Sequence, residues 1–130
     1  MNWRISFTDG KVVQVFIHET REGYEEALSG AGSKELQGSY ACFKASPVRH
    51  DSRKVGEIHL VEGNYGVGVV AHEALHAVFH WLDYILGSEF MEKVDDEALC
   101  RELGRLCSEF WTIYYAKTKK GSIFPLSAGS

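Results

Sequence analysis

Apolar and polar residues alternate through Trp3-Arg4-Ile5-Ser6-Phe7, and the stretch from Lys11 to His18 is dense in Val, Ile and Phe. A period of two fits a half-buried strand, because successive side chains point to opposite faces. Asp9-Gly10 between the two runs is a hairpin turn signal, so the chain is predicted to open with a β-hairpin. Thr20 to Leu28 predicts a short helix with Thr20 as N-cap and Gly23 as its weak point. Gly30 to Gly38 reads as a loop, Ser39 to Lys44 as a strand broken by Pro47, and Val48 to Lys54 as a charged loop. Val55 to Val61 is the last predicted strand, followed by a turn over Glu62 to Gly66.

Beyond that turn the period lengthens. Ala71, Leu75, Val78, Leu82 and Ile85 recur at three- and four-residue steps. They predict a helix from about Val67 to Leu86, stopped at Gly87, with this stripe facing the core. A second long helix is predicted from an N-cap at Asp95 to about Lys117, with Leu99, Leu103, Leu106 and Phe110 as its apolar face. Asp96 falls near the margin of that face and Glu97 further round. Gly121 and Pro125 mark a loose tail over 119–130, and no repeat or domain boundary interrupts the rest. The expectation is one α+β domain over 1–130, its core about 3–118. A small, mostly antiparallel sheet (the hairpin plus two further strands) would pack on the two long helices.

Composition narrows the function classes. Hydrophobic residues are 45% and charged residues 25% of 130, the balance of an ordinary globular domain. A net charge of −4 with scattered basic residues leaves no electrostatic footprint for nucleic acid. No signal-peptide pattern opens the chain and no apolar run reaches about 18 residues, so no membrane association is expected. Three cysteines without framework spacing fit a reducing compartment, and a cytoplasmic location is expected. Cys100 and Cys107 on one helix would stand about 10.5 Å apart in rise, too far for a disulfide, and read as small buried hydrophobes.

The chemistry concentrates in His72-Glu73-Ala74-Leu75-His76. Residues i and i+4 lie one helical turn apart, so the two imidazoles can share one metal ion while Glu73 handles a proton. The plainer reading is a polar, solvent-facing stripe of an amphipathic helix, which His80 and Asp83 would continue. His80 is not a ligand in this reading, because three histidines at i, i+4 and i+8 span about 12 Å and zinc–nitrogen bonds are about 2 Å. A catalytic zinc takes three protein ligands and keeps one open position. Asp95, Asp96, Glu97 and Glu102 are the acids at hand for the third, although acids at a helix start also simply complement its dipole.

His72-Glu73-Ala74-Leu75-His76-Ala77-Val78 resembles the active-site helix of zincin metallopeptidases. Asp96-Glu97-Ala98-Leu99-Cys100-Arg101-Glu102-Leu103-Gly104 resembles the gluzincin helix that supplies the third ligand. The strand-then-helix order is similar to small phage and bacterial relatives, including the ImmA/IrrE metallopeptidases. The resemblance spans roughly Val55 to Phe110. It implies a zincin-like fold, Zn²⁺ held by His72, His76 and Glu97, and Glu73 as general base. Where thermolysin-like members carry acids that orient the histidines, this chain has His80 and Arg101, so Asp83 or Glu102 would take that role.

The resemblance further implies hydrolysis of a peptide or protein substrate, paired to an edge strand at Val55 to Val61 with Glu57 and His59 near the cleft. An oxyanion donor is expected among Tyr65, Tyr114, Tyr115, His59 and His80. So short a chain lacks a second subdomain to wall the cleft, which favours a narrow protein target. The competing expectation is a non-catalytic binding module on the same fold, a phage- or mobile-element-encoded factor acting by protein contact in a bacterial host cytoplasm. Retention of Glu73 speaks for the enzyme, since a purely structural zinc needs no base. Oligomeric state is open in both.

Overall fold

Asp9-Gly10 turns the chain as its sequence predicts. Gly10 adopts φ 92°, a left-handed conformation that costs glycine little, and the Asp9 carboxylate accepts from the Lys11 amide at 3.0 Å. In the computed structural model, which describes residues 1–29, 39–49, 52–86 and 95–118, this turn joins β1 (Asn2–Ser6) to β2 (Val12–His18). The short helix α1 (Arg21–Ala27) follows, its N-terminus capped by Thr20, whose hydroxyl accepts from the Gly23 amide. Two further strands, β3 (Ala41–Ala45) and β4 (Lys54–Val61), precede α2 (Val67–Leu86) and α3 (Asp96–Thr118). The predicted loop over Gly30 to Gly38, the stop at Gly87 and the tail over 119–130 lie outside the described residues.

The domain is α+β; the described residues form three helices and one four-stranded sheet in the order β1-β2-β4-β3. Its outer ladders are antiparallel, but the central pair, β2 with β4, is parallel. The sheet is therefore mixed. Strand patterning could not reveal this, because it says nothing about which strands become neighbours. A parallel neighbour needs a crossover, and the chain makes one through α1 and β3 before entering β4.

A register shift between Val12 and Val13 leaves Val55 as the extra residue of β4. Beyond it the alternation is regular. Ile58 and Leu60 face the main core with Val13, Val15, Val70, Val78, Leu106 and Phe110, while Val61 joins Tyr24 and Leu28 in a second small cluster. Gly56 sits where β3 crosses closely. A Cβ there would stand 2.5 Å from Phe43 Cζ and 2.7 Å from the Lys44 carbonyl oxygen.

Helix α2 differs from its predicted face. Its buried residues are Val70, Glu73, Ala74, Ala77, Val78, Trp81 and Leu82, whereas Ala71 and Leu75 are half-buried and Ile85 is 47% exposed. The helix is rolled about 70° from the expected stripe at 100° per residue. Ala74 and Ala77 weigh little in a hydrophobic pattern, yet they bury well. Trp81 pins the roll, stacking on Phe7 at 4.8 Å and donating to the Asp9 carboxylate at 3.2 Å.

Helix α3 starts as predicted, with the Asp95 carboxylate accepting from the Glu97 amide at 3.1 Å. Glu102 is buried on it and accepts from Thr8 through the backbone amide (3.0 Å) and the hydroxyl (2.6 Å). All three cysteines are free, and Cys100 is exposed rather than a buried filler. No helix among the described residues is long and apolar enough to cross a membrane.

Candidate metal centre

The roll of α2 decides how His72, Glu73 and His76 are presented. Both histidines lie on the exposed side, and their Nε2 atoms face each other at 3.3 Å. Glu73, one residue round the helix, is only 7% exposed. One ligand atom from each of the three lies within 4.8 Å of the others, and no other group of three or more metal-ligating side chains is this close among the described residues. Two ligand atoms each about 2.05 Å from a tetrahedral ion stand about 3.3 Å apart. The imidazoles thus already hold the separation that one zinc ion imposes.

Burial pushes the Glu73 carboxyl above its ordinary range, and the two neighbouring histidines pull it part of the way back. A carboxylate raised in this way is a stronger proton acceptor than an exposed one, as a general base must be. A cleft of about 350 Å³ opens beside the group, lined by Tyr40, Ala41, Asn64, Gly68, Val69, His72 and Glu73. Tyr40 and Asn64 are the polar side chains that sequence reasoning missed. Neither belongs to the motif, and only the fold carries them to it. The Arg21 guanidinium lies over the Tyr40 ring at 4.6 Å.

The remaining expected residues lie elsewhere. Glu97 is exposed in the first turn of α3 and is not part of the three-residue group. Helix α2 continues ten residues past His76, about 15 Å of rise, to Leu86. His80 lies outside the group. Its Nε2 lies 2.7 Å from the Ser46 carbonyl and its Nδ1 3.7 Å from Asp83. Glu102, committed to Thr8, does not orient the histidines.

The expected edge strand is corrected. β4 lies inside the sheet, and the outermost strand on this side, among the described residues, is β3, whose Ala41 lines the cleft. His59 is 3% exposed and stacks on Phe16 at 4.8 Å, on the sheet face opposite Ile58 and Leu60. Its Nδ1 lies 2.8 Å from His18 Nε2 and its Nε2 2.7 Å from the Glu57 carboxylate, which also receives Lys54. Burial lowers the pKa of His59 and outweighs the raising effect of Glu57. Burial would raise the Glu57 carboxyl, but Lys54 and His59 together turn the net shift downward. This is a polar network behind the sheet.

Among the oxyanion candidates, Tyr65, Tyr114 and Tyr115 line a different pocket, between the β4–α2 turn and α3. None of the five candidates lines the cleft. No protein-family model matches the chain, and neither a curated protein nor a solved structure matches it.

Proposed function

We propose that this chain is a zinc-dependent, metallopeptidase-like hydrolase built on a minimal zincin-like domain and directed at a narrow protein target. The observation that carries the reading is the 3.3 Å approach of His72 and His76 Nε2 atoms with buried Glu73 in the same group. His72 and His76 would hold Zn²⁺ through these nitrogens. The ion, when bound, supplies an attacking water with a pKa near about 7. Glu73 would take that water's proton and return it to the leaving nitrogen. A substrate backbone pairing with the outer edge of β3 would pass the cleft wall at Ala41 and bring its carbonyl to His72.

Glu97 enters as third ligand on the resemblance of Asp96 to Gly104 alone, and its exposed place outside the group favours the competing reading, a binding module that acts by protein contact. Two measurements separate the readings. Purified protein should carry one zinc per chain, and Glu73→Gln should keep that zinc while losing the release of new amino termini from a peptide library, read by mass spectrometry. Zinc-free wild type, or unchanged cleavage by Glu73→Gln, would sink the hydrolase. Glu97→Ala should lower zinc occupancy; undiminished occupancy would remove Glu97 from the ligand set.

A further inference from the structure

A second pocket, of about 370 Å³, lies on the side of the α2 N-terminus that faces the end of α3. That volume falls within the usual range for small-ligand sites, about 300–1,000 Å³. Its walls are aromatic. Trp111 is inclined by 33° to Tyr65 at 6.5 Å and by 32° to Tyr115 at 5.8 Å, while Tyr114 stands nearly perpendicular to Trp111 at 5.5 Å. Glu62, exposed, is the only charged side chain lining it among the described residues. From these observations we infer that the pocket binds an organic ammonium cation, a quaternary amine or a lysine side chain, against the rings of Trp111, Tyr65 and Tyr115 and beside Glu62.

Three terms decide the sign of the ligand. Aromatic faces carry negative quadrupole density and attract alkylammonium groups. Glu62 adds a full negative charge. The first turn of α2 opposes them with the positive end of its dipole, worth about half a charge within one turn, and no acid in that turn offsets it. A full charge together with three rings outweighs a half charge. The turn Glu62 to Gly66 lies between this pocket and the cleft, and no residue that lines the one lines the other. Binding therefore does not depend on the metal reading.

The test is titration of the full-length protein with tetramethylammonium, followed by Trp fluorescence and calorimetry. Neutral tert-butanol and acetate are run in parallel, and N-acetyl-lysine amide stands for the side-chain source. Saturable binding of either cation with weaker or no binding of tert-butanol is expected, and the tighter of the two identifies the source. Trp111→Leu should weaken it about tenfold, Glu62→Gln about threefold, with the effect of Glu62 fading at high salt. His72→Ala should leave it unchanged. Equal binding of tert-butanol, preference for acetate, no saturable binding, or full affinity in Glu62→Gln and Trp111→Leu would each overturn the assignment. Because Glu62 is exposed, its variant remains informative if Trp111→Leu fails to fold.

Discussion

Zinc should stabilise the folded chain through His72 and His76, and the size of the effect can be worked out in advance. Both side chains are exposed and stand 3.3 Å from each other at Nε2. Neither fills the core, so His72→Ala or His76→Ala should change the stability of the metal-free protein by no more than about 0.5 kcal/mol. Zinc at a hundred times its Kd adds about 2.7 kcal/mol to a protein that binds it only when folded. Unfolding entropy near the midpoint is about 2.1 cal/mol/K per residue, or about 0.27 kcal/mol/K for 130 residues. The expected rise in Tm is therefore about 10 °C. Differential scanning fluorimetry with chelator and with stepwise zinc reads it directly. The shift should collapse in each histidine variant while their chelated Tm values match wild type, and it should shrink in acid as protons compete for the imidazole lone pairs. A full shift in His72→Ala, or none in wild type, refutes the assignment of these nitrogens as ligands.

Burial raises the folded-state pKa of Glu73, so ionising it costs stability as pH rises above the ordinary carboxylate value of 4.5. Metal-free Glu73→Gln should accordingly be more stable than wild type near pH 8, with the gain vanishing below pH 4.5; urea denaturation at the two pH values checks the sign. Gly56→Ala should destabilise by about 2 kcal/mol, since the new methyl would meet Phe43 and the Lys44 carbonyl, and backbone cannot swing aside. A chemical-denaturation midpoint equal to wild type would mean that β3 does not cross as closely as described. Glu102→Ala should cost about 3 kcal/mol by losing two hydrogen bonds to a buried carboxylate, and Glu102→Gln less, because an amide can still serve the Thr8 amide. Equal losses in the two variants would show that packing rather than hydrogen bonding governs the site.

The sequence by itself determined the local elements and the three-residue motif. Asp9-Gly10, Thr20 and Asp95 mark their turn and caps through short-range hydrogen bonds that need no tertiary partner, so the hairpin, α1 and the start of α3 were legible. The i, i+4 spacing likewise placed His72 and His76 together, because one helical turn decides it. Tertiary structure decided what depends on neighbours distant in sequence. The parallel pairing of β2 with β4 put β4 inside the sheet and left β3 outermost beside the cleft among the described strands, and strand patterns carry no record of pairing. The roll of α2 was set by packing that seats Ala74, Ala77 and Trp81 against the core, and this buried Glu73 while leaving the histidines at the surface. Glu97 lies exposed at the start of α3 and outside the group, a placement that depends on how α3 packs and not on spacing along the chain. Hydrophobic periodicity reports how apolar a face is. Which face comes closest to its neighbours is a matter of shape, and shape exists only after the chain has folded.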